Sequence, residues 1–219
     1  MKKIIIFGLT DLSMRVSHHI QQDGQYEIAA YTVEQEYMQE EFLDKPVVPF
    51  EKVEECYPPD LFGMLICVGY TNMIMVRKRI YSEAKEKGYH IVNYIHPTAT
   101  IATDMFVGGG TIVFDRVSIG QFVKLGAMNV FDIGTVVSHH SVIGDFNFFA
   151  PVSALAGYVT VGQNCFFGIH STIRNGISIA DYTLVGAGCY ISKNTEPYSV
   201  QVSARSTTLS GKSSLDMKL

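Results

Sequence analysis

The chain has 219 residues, 47% of them apolar, and a formal net charge of −4. That is enough for one large domain or two small ones, and too acidic to suggest a nucleic-acid partner. No apolar run is long enough to cross a bilayer, the stretch Ile4-Ile5-Ile6 is too short for a secretory signal, and Cys56, Cys67, Cys165 and Cys189, with no C-x-x-C pair, read as buried reduced thiols of a cytoplasmic protein.

Taken in order, Lys3 to Gly8 reads as a buried strand. Gly8-Leu9-Thr10-Asp11 is the turn after it, with Asp11 as the simplest cap for the next helix. That helix carries Leu12, Val16 and Ile20 on one face and stops at Gly24. Tyr26–Val33 alternates as a second strand, Val47–Phe50 is a short third, Pro58-Pro59 is a break, and Phe62–Gly69 is a fourth. A helix over Asn72–Lys87, closed by Gly88, leads to a fifth strand over Tyr89–Tyr94. Strands alternating with helices predict a parallel sheet covered on its faces, so residues 1–94 are expected to form a small Rossmann-like α/β domain. The dinucleotide fingerprint G-x-G-x-x-G is reduced to Gly8, which argues against a dinucleotide. Gly8 and Thr10 remain candidates for holding the phosphates or base of a nucleotide-sugar at the helix N-terminus; the plainer reading is a packing domain without a ligand. In the loop from Gly69, Asn72 reads most simply as a helix cap and Arg77 as a solvated charge.

From Ile95 to Ile191 every sixth residue is apolar, beginning Ile95, Ile101, Val107, Val113 and ending Val185, Ile191. The residue four further on is mostly small or β-branched, as at Thr111, Val117, Thr135, Ser141 and Cys165. A fixed six-residue period reads as a solenoid. Each hexad is a short strand and a turn, and three hexads close a triangular coil. The apolar residues stack inward at about 4.8 Å, and the small ones fill the corners. A parallel β-helix is therefore predicted over 95–196, with a tail over 197–219. Its interior is apolar, so chemistry must sit on corners and outer faces. His139 and His140 occupy a turn, and one coil later Gly157 takes the hexad position of His139. Acyl transfer from a thioester needs such a pair: an imidazole that titrates near neutrality as base, and an unobstructed peptide N–H for the oxyanion. A surface histidine pair without a role is the plainer alternative.

His139–Pro151, Gly157-Tyr158-Val159-Thr160-Val161-Gly162, the junction Ile95-His96-Pro97 and the closing Asn194–Ser199 resemble the bacterial hexapeptide-repeat sugar acetyltransferases. That family includes sialic-acid O-acetyltransferases and nucleotide-linked amino-sugar N-acetyltransferases, and the resemblance covers nearly the whole chain. It implies a left-handed coil, against the usual right-handed crossover, a homotrimer, and acetyl-CoA in a groove between neighbouring coils. His139 matches the family's general base and Gly157 the glycine whose amide faces the thioester oxygen. Arg174, Lys193 and Arg205 are candidates for the CoA phosphates.

Three departures from the family pattern stand out. His140 replaces the acidic residue that often follows the base, so an orienting carboxylate would come from Asp132 or Asp145 or be absent; His140 itself becomes a candidate substrate contact. Asp132 stands where many relatives have Asn; within the site its charge would favour a cationic amino substrate and make His139 more basic. The Gly-x-Pro-Ala segment that touches the adenine end of CoA is Ser203-Ala204-Arg205-Ser206 here. The expected activity is acetyl transfer from acetyl-CoA to the amine of a nucleotide-linked amino sugar, for a surface polysaccharide or glycan. O-Acetylation of a sialic-acid-like sugar is the alternative. A histidine-metal hydratase using His139, His140 and His170 and a catalytically silent scaffold come after it.

Overall fold

The computed structural model describes residues 2–102 and 108–204. The N-terminal part is an α/β unit of β1 (Lys2–Phe7), α1 (Asp11–Asp23), β2 (Tyr26–Val33), β3 (Glu41–Phe42), β4 (Lys45–Pro49), α2 (Val53–Cys56), β5 (Gly63–Ile66), α3 (Met75–Glu86) and β6 (His90–Ile91). The sheet order is β3-β4-β2-β1-β5-β6, parallel throughout except for the β3–β4 hairpin. Ile4, Ile5 and Ile6 are fully buried because β1 is a central parallel strand, covered on both faces.

The apolar period places α1 correctly: Leu12, Val16 and Ile20 are buried, and Gly24 ends it in the left-handed region at φ 67. Its cap is Thr10, not Asp11. Thr10 Oγ1 accepts from the Ser13 N–H while Ser13 Oγ accepts from the Thr10 N–H, and Asp11 sits in the first turn, where its charge suits the helix dipole. The predicted helix from Asn72 starts later. Asn72, Met73 and Ile74 have φ values of 51, 47 and 69, so Asn72 caps nothing and α3 begins at Met75. The expected fifth strand divides. His90–Ile91 completes this sheet, while Tyr94–Ile95 pairs with Ile112–Val113 as the first rung of a coil.

From there the chain winds as a parallel β-helix. Two-residue strands pair one coil apart, Ser118 with Val136, Lys124 with Val142, Val130 with Phe148, and build three parallel sheets. Pairing continues to Val200–Gln201. Every sixth residue from Val113 to Ile191 is buried; Val107 lies outside the described residues. Phe131, Phe149 and Phe167 stack face to face inside, with centroids 4.7 and 4.5 Å apart, close to the spacing of the strands that carry them. Thr111, Thr135, Ser141, Ser153 and Ser171 are fully buried at the corners. The turns add a demand that the hexad pattern did not reveal. From Val113 to Val185 the third residue after each inward one is left-handed, as at Phe122, His140, Phe146, Tyr158 and Asn164, with φ between 57 and 61.

The two parts share one core. The sheet carrying Ile112, Val130 and Phe148 turns these outer side chains into the α/β unit, where all three are buried. The unit also grips the two corners beside that sheet. Arg15 of α1 reaches Phe114 and Asp132 on one, and α3 packs Arg77 and Tyr81 on Met128 and Phe146 of the other. The third corner, between the remaining two sheets, is opposite the unit and free of it.

Arg77 departs from the expected solvated charge. It is 1% exposed, donates to the Met128 carbonyl, and among the described residues its Nε and Nη1 have no partner. Burial lowers its pKa to about 9. The unfolded chain therefore holds the proton more tightly, so the cost is full below about pH 9 and fades as pH rises towards the unfolded value. An uncompensated buried charge is worse than an apolar side chain of its volume. Arg77→Met is expected to raise stability at neutral pH by about 1–4 kcal/mol, with a gain that shrinks at high pH; a lower melting temperature would refute this.

All four cysteines are unpaired, but only Cys67, Cys165 and Cys189 are buried; Cys56, ending the short surface helix α2, is exposed. Among the described residues no helix is long and apolar enough to cross a membrane.

Candidate active site

The free corner is a stack of turns joined by ladder bonds. The His140 N–H donates to the Gln121 carbonyl, the Tyr158 N–H to that of His139, and the Gly176 N–H to that of Gly157, each at 3.0 Å. One column along it therefore reads Gln121, His139, Gly157, Asn175. His139 and His140 are exposed, and Gly157 is buried beneath the His139 ring. A Cβ on Gly157 would stand 2.7 Å from His139 Cε1 and 2.9 Å from Nε2, so glycine is what leaves room for the imidazole. The Gly157 carbonyl accepts from the Asn175 side-chain amide at 2.7 Å. Its N–H has no acceptor among the described residues. A ring nitrogen thus stands beside a free peptide donor.

His140 lies against the same ring. Its Nδ1 is 3.0 Å from His139 Nδ1. Its ring stacks on Tyr158, with centroids 4.8 Å apart and planes 16° from parallel, and meets Phe122 at 4.7 Å. Arg174 and Lys193 lie further along this corner, both exposed, in reach of a ligand that runs along it. Arg205 lies outside the described residues.

Asp132 is on a different corner and is not free. Arg15 meets it with two bonds, Nη1 to Oδ2 at 2.9 Å and Nη2 to Oδ1 at 2.5 Å, and the Ile133 N–H donates to Oδ1 at 2.7 Å. Asp132 is 3% exposed, and its hydrogen bond is the main reason that the Arg15 pKa is raised. A carboxylate held this way offers little charge to a cationic substrate and does not orient His139 in its own chain. Asp145 is on the third corner, accepting from the Ala127 N–H at 2.7 Å. Sequence reasoning missed Arg15, which sits 117 residues from its partner; no local signal announces such a pair.

Beside the Arg15–Asp132 pair, between the α/β unit and the coil, lies a cleft of about 480 Å³ lined by Thr10, Asp11, Arg15, Gly69, Tyr70 and Asp132, among others. A second, of about 450 Å³, opens at the carboxyl edge of the sheet beside Gly8, Thr10, Glu34, Glu36, Tyr37 and Arg79, where parallel sheets take their ligands. Gly8 and Thr10 are first of all structural. Gly8 has φ 111 and a Cβ there would strike the Cys67 carbonyl at 2.8 Å; its N–H donates to the Thr32 carbonyl. The Thr10 hydroxyl donates to that same Cys67 carbonyl at 2.8 Å. What the turn leaves for a ligand are the unpaired amides at the start of α1. His170 lies on the Asp132 corner, away from His139 and His140. Among the described residues no three His, Cys, Asp or Glu side chains gather as a metal-ligand set.

The free corner thus carries an imidazole over a bare glycine, on a coil of three parallel sheets wound with a six-residue register. Residues 158–193 match the family described as the hexapeptide repeat of succinyl-transferase. The fold of the chain is similar to that of the acetyltransferase domain of PglB from Neisseria gonorrhoeae FA1090, at 19% identity, covering 91% of this chain and 96% of that one with a TM-score of 0.81. It is also similar to a His-to-Asn variant of perosamine N-acetyltransferase from Caulobacter crescentus in complex with CoA and GDP-perosamine, at 25% identity, covering 89% and 90%, with a TM-score of 0.80. Over 113 residues it is 26% identical to GDP-perosamine N-acetyltransferase from Escherichia coli O157:H7, a match spanning 52% of this chain and 51% of that protein. The chain thus spans about half the length of that curated relative.

Proposed function

We propose that the protein transfers the acetyl group of acetyl-CoA to the amine of a nucleotide-linked amino sugar, in a site completed by a second copy of the chain. The observation that carries this reading is the His139 imidazole packed over Gly157, a residue whose N–H has no acceptor among the described residues. His139 Nε2 takes a proton from the amine as its nitrogen attacks the thioester carbon. The Gly157 N–H donates to the thioester oxygen as that oxygen gains negative charge. When the carbon–sulfur bond breaks, His139 returns the proton to the departing sulfur, leaving an amide and the free thiol of CoA. Arg174 and Lys193 supply cations for the CoA phosphates. Relatives named for N-acetylation of perosamine, one of them bound to CoA and GDP-perosamine, support the choice of substrate class.

The nucleotide belongs at the carboxyl edge of the N-terminal sheet, in a Rossmann-like manner. There the acidic Glu34 and Glu36 can accept from ribose hydroxyls, and the α1 amides can donate to phosphate. That place and His139 are on different sides of one chain, since the α/β unit covers the sheet opposite the free corner. A neighbouring copy must therefore bring its clefts to His139. Phe122, Val136, Val142 and Tyr158, which rim His139, are 66%, 39%, 41% and 56% exposed, an apolar surface suited to such a contact. A left-handed coil and a homotrimer, as the family resemblance implies, belong to this reading.

The test is turnover of acetyl-CoA against a panel of nucleotide-linked 3- and 4-amino sugars. Release of CoA thiol that depends on the sugar is expected, with a product one acetyl heavier that survives mild base as an amide. A base-labile product would move the reaction to a hydroxyl, and no thiol release across the panel would overturn the reading.

A further inference from the structure

We propose that His140 is the positioning residue for His139, and that a neutral imidazole here does the work of an orienting carboxylate. The inference rests on His139 as the base of the proposed reaction and adds what sets that base. The two Nδ1 atoms are 3.0 Å apart. A neutral imidazole has one N–H and one lone pair, so this contact requires one ring to donate and the other to accept. With the hydrogen on His139 Nδ1, the lone pair of His139 sits on Nε2, one of the two ring atoms closest to the Cβ position of Gly157. The opposite assignment would place a hydrogen on Nε2 and abolish the base. His140 therefore accepts at Nδ1 and carries its own hydrogen on Nε2.

Three features hold His140 in place for this. Its backbone is left-handed at φ 59. Its N–H is bonded to the Gln121 carbonyl at 3.0 Å. Its ring is packed between Phe122 and Tyr158. When His139 gains a proton, the N–H···N bond becomes charge-assisted and stronger. The pair thus stabilises the imidazolium through a lone pair rather than through a negative charge. It also makes a free carboxylate at Asp132 or Asp145 unnecessary.

The deciding variants are His140→Phe and His140→Asn. Phenylalanine keeps an aromatic ring between Phe122 and Tyr158 and removes the acceptor. Asparagine removes the ring and offers a carbonyl oxygen in place of Nδ1. Both residue types already occupy this left-handed turn position, at Phe146 with φ 59 and Asn164 with φ 57, so the fold accepts either. Protein labelled with nitrogen-15 at histidine reports the tautomer of His139 without any substrate. The expected wild-type state is hydrogen on Nδ1, retained in His140→Asn and lost to a mixture in His140→Phe. In turnover, His140→Phe is expected to lower kcat by about 10–100-fold, as for other partners that orient a histidine, with KM for acetyl-CoA changed less than about twofold. His140→Asn recovers most of that loss. A His140→Phe variant with wild-type kcat and an unchanged His139 tautomer would overturn the proposal while leaving His139 as base. Full turnover in His139→Ala would remove the base, and this inference with it.

Discussion

Replacing His139 with alanine is expected to lower kcat for acetyl transfer by about 10²–10⁴-fold, the contribution of a positioned general base, while the melting temperature stays close to that of the parent. The side chain is exposed on a turn, and such positions rarely carry stability. Gly157→Ala is its companion and separates fold from chemistry more sharply. Gly157 has no positive φ, so alanine fits its backbone, and fewer unfolded conformations should leave stability level or raise it by up to about 1 kcal/mol. Yet the new Cβ would lie within 3.2 Å of three atoms of the His139 ring. The ring is the free end of its side chain, so it swings aside and the coil does not move. A displacement of that size at a reacting atom costs about 100-fold. Steady-state kinetics beside thermal unfolding reads both effects. A Gly157→Ala protein with unimpaired turnover would mean that the base and the oxyanion donor are elsewhere.

The sequence showed the coil because its interior is sterically uniform. A side chain on the axis touches its own copies one coil up and down, so each inward position must be apolar, and the period survives every local variation. The same regularity made the His139–Gly157 pair legible, since two residues one coil apart are neighbours by construction. What stayed hidden depends on contacts between distant segments. Arg15 and Asp132 become partners only after α1 docks on the coil, and Arg77 is buried by that same docking, so neither charge looks different from a solvated one in sequence. The docked sheet did leave a signal of a longer period. Tyr94, Ile112, Val130, Phe148, Phe166 and Leu184 are outward positions recurring once per coil, and all are apolar, whereas another sheet presents Lys124, Val142, Thr160 and Ser178. Outward residues read once per coil, rather than once per hexad, mark the face that the α/β unit covers. The orientation of His140 had no such mark. It follows from a left-handed turn conformation that the chain imposes on side chains of many kinds.

Two inactive variants are expected to restore about a quarter of wild-type activity when mixed in equal amounts and assembled together. The first is His139→Ala, which keeps its clefts. The second is Gly69→Trp, which keeps its base. Gly69 lines the cleft beside Arg15 and Asp132, which also opens on Thr10 and Asp11 at the start of α1, where the phosphates are placed, and among the described residues a Cβ there meets nothing within 4 Å, so a large side chain can block the opening without disturbing the packing behind it. If each site takes its base from one chain and its cleft from the next, a working site needs an intact His139 on one side and an open cleft on the other. Random assembly supplies that combination at about one site in four, whatever the number of copies in the ring. A site built within one chain would gain nothing from mixing, because every chain would carry one of the two defects. Wild-type protein taken through the same dissociation and reassembly sets the full scale, and size-exclusion chromatography with light scattering confirms that mixed assemblies form. Activity that stays at the level of the separate variants, with mixed assemblies present, would place the substrate and His139 on a single chain and refute the shared site.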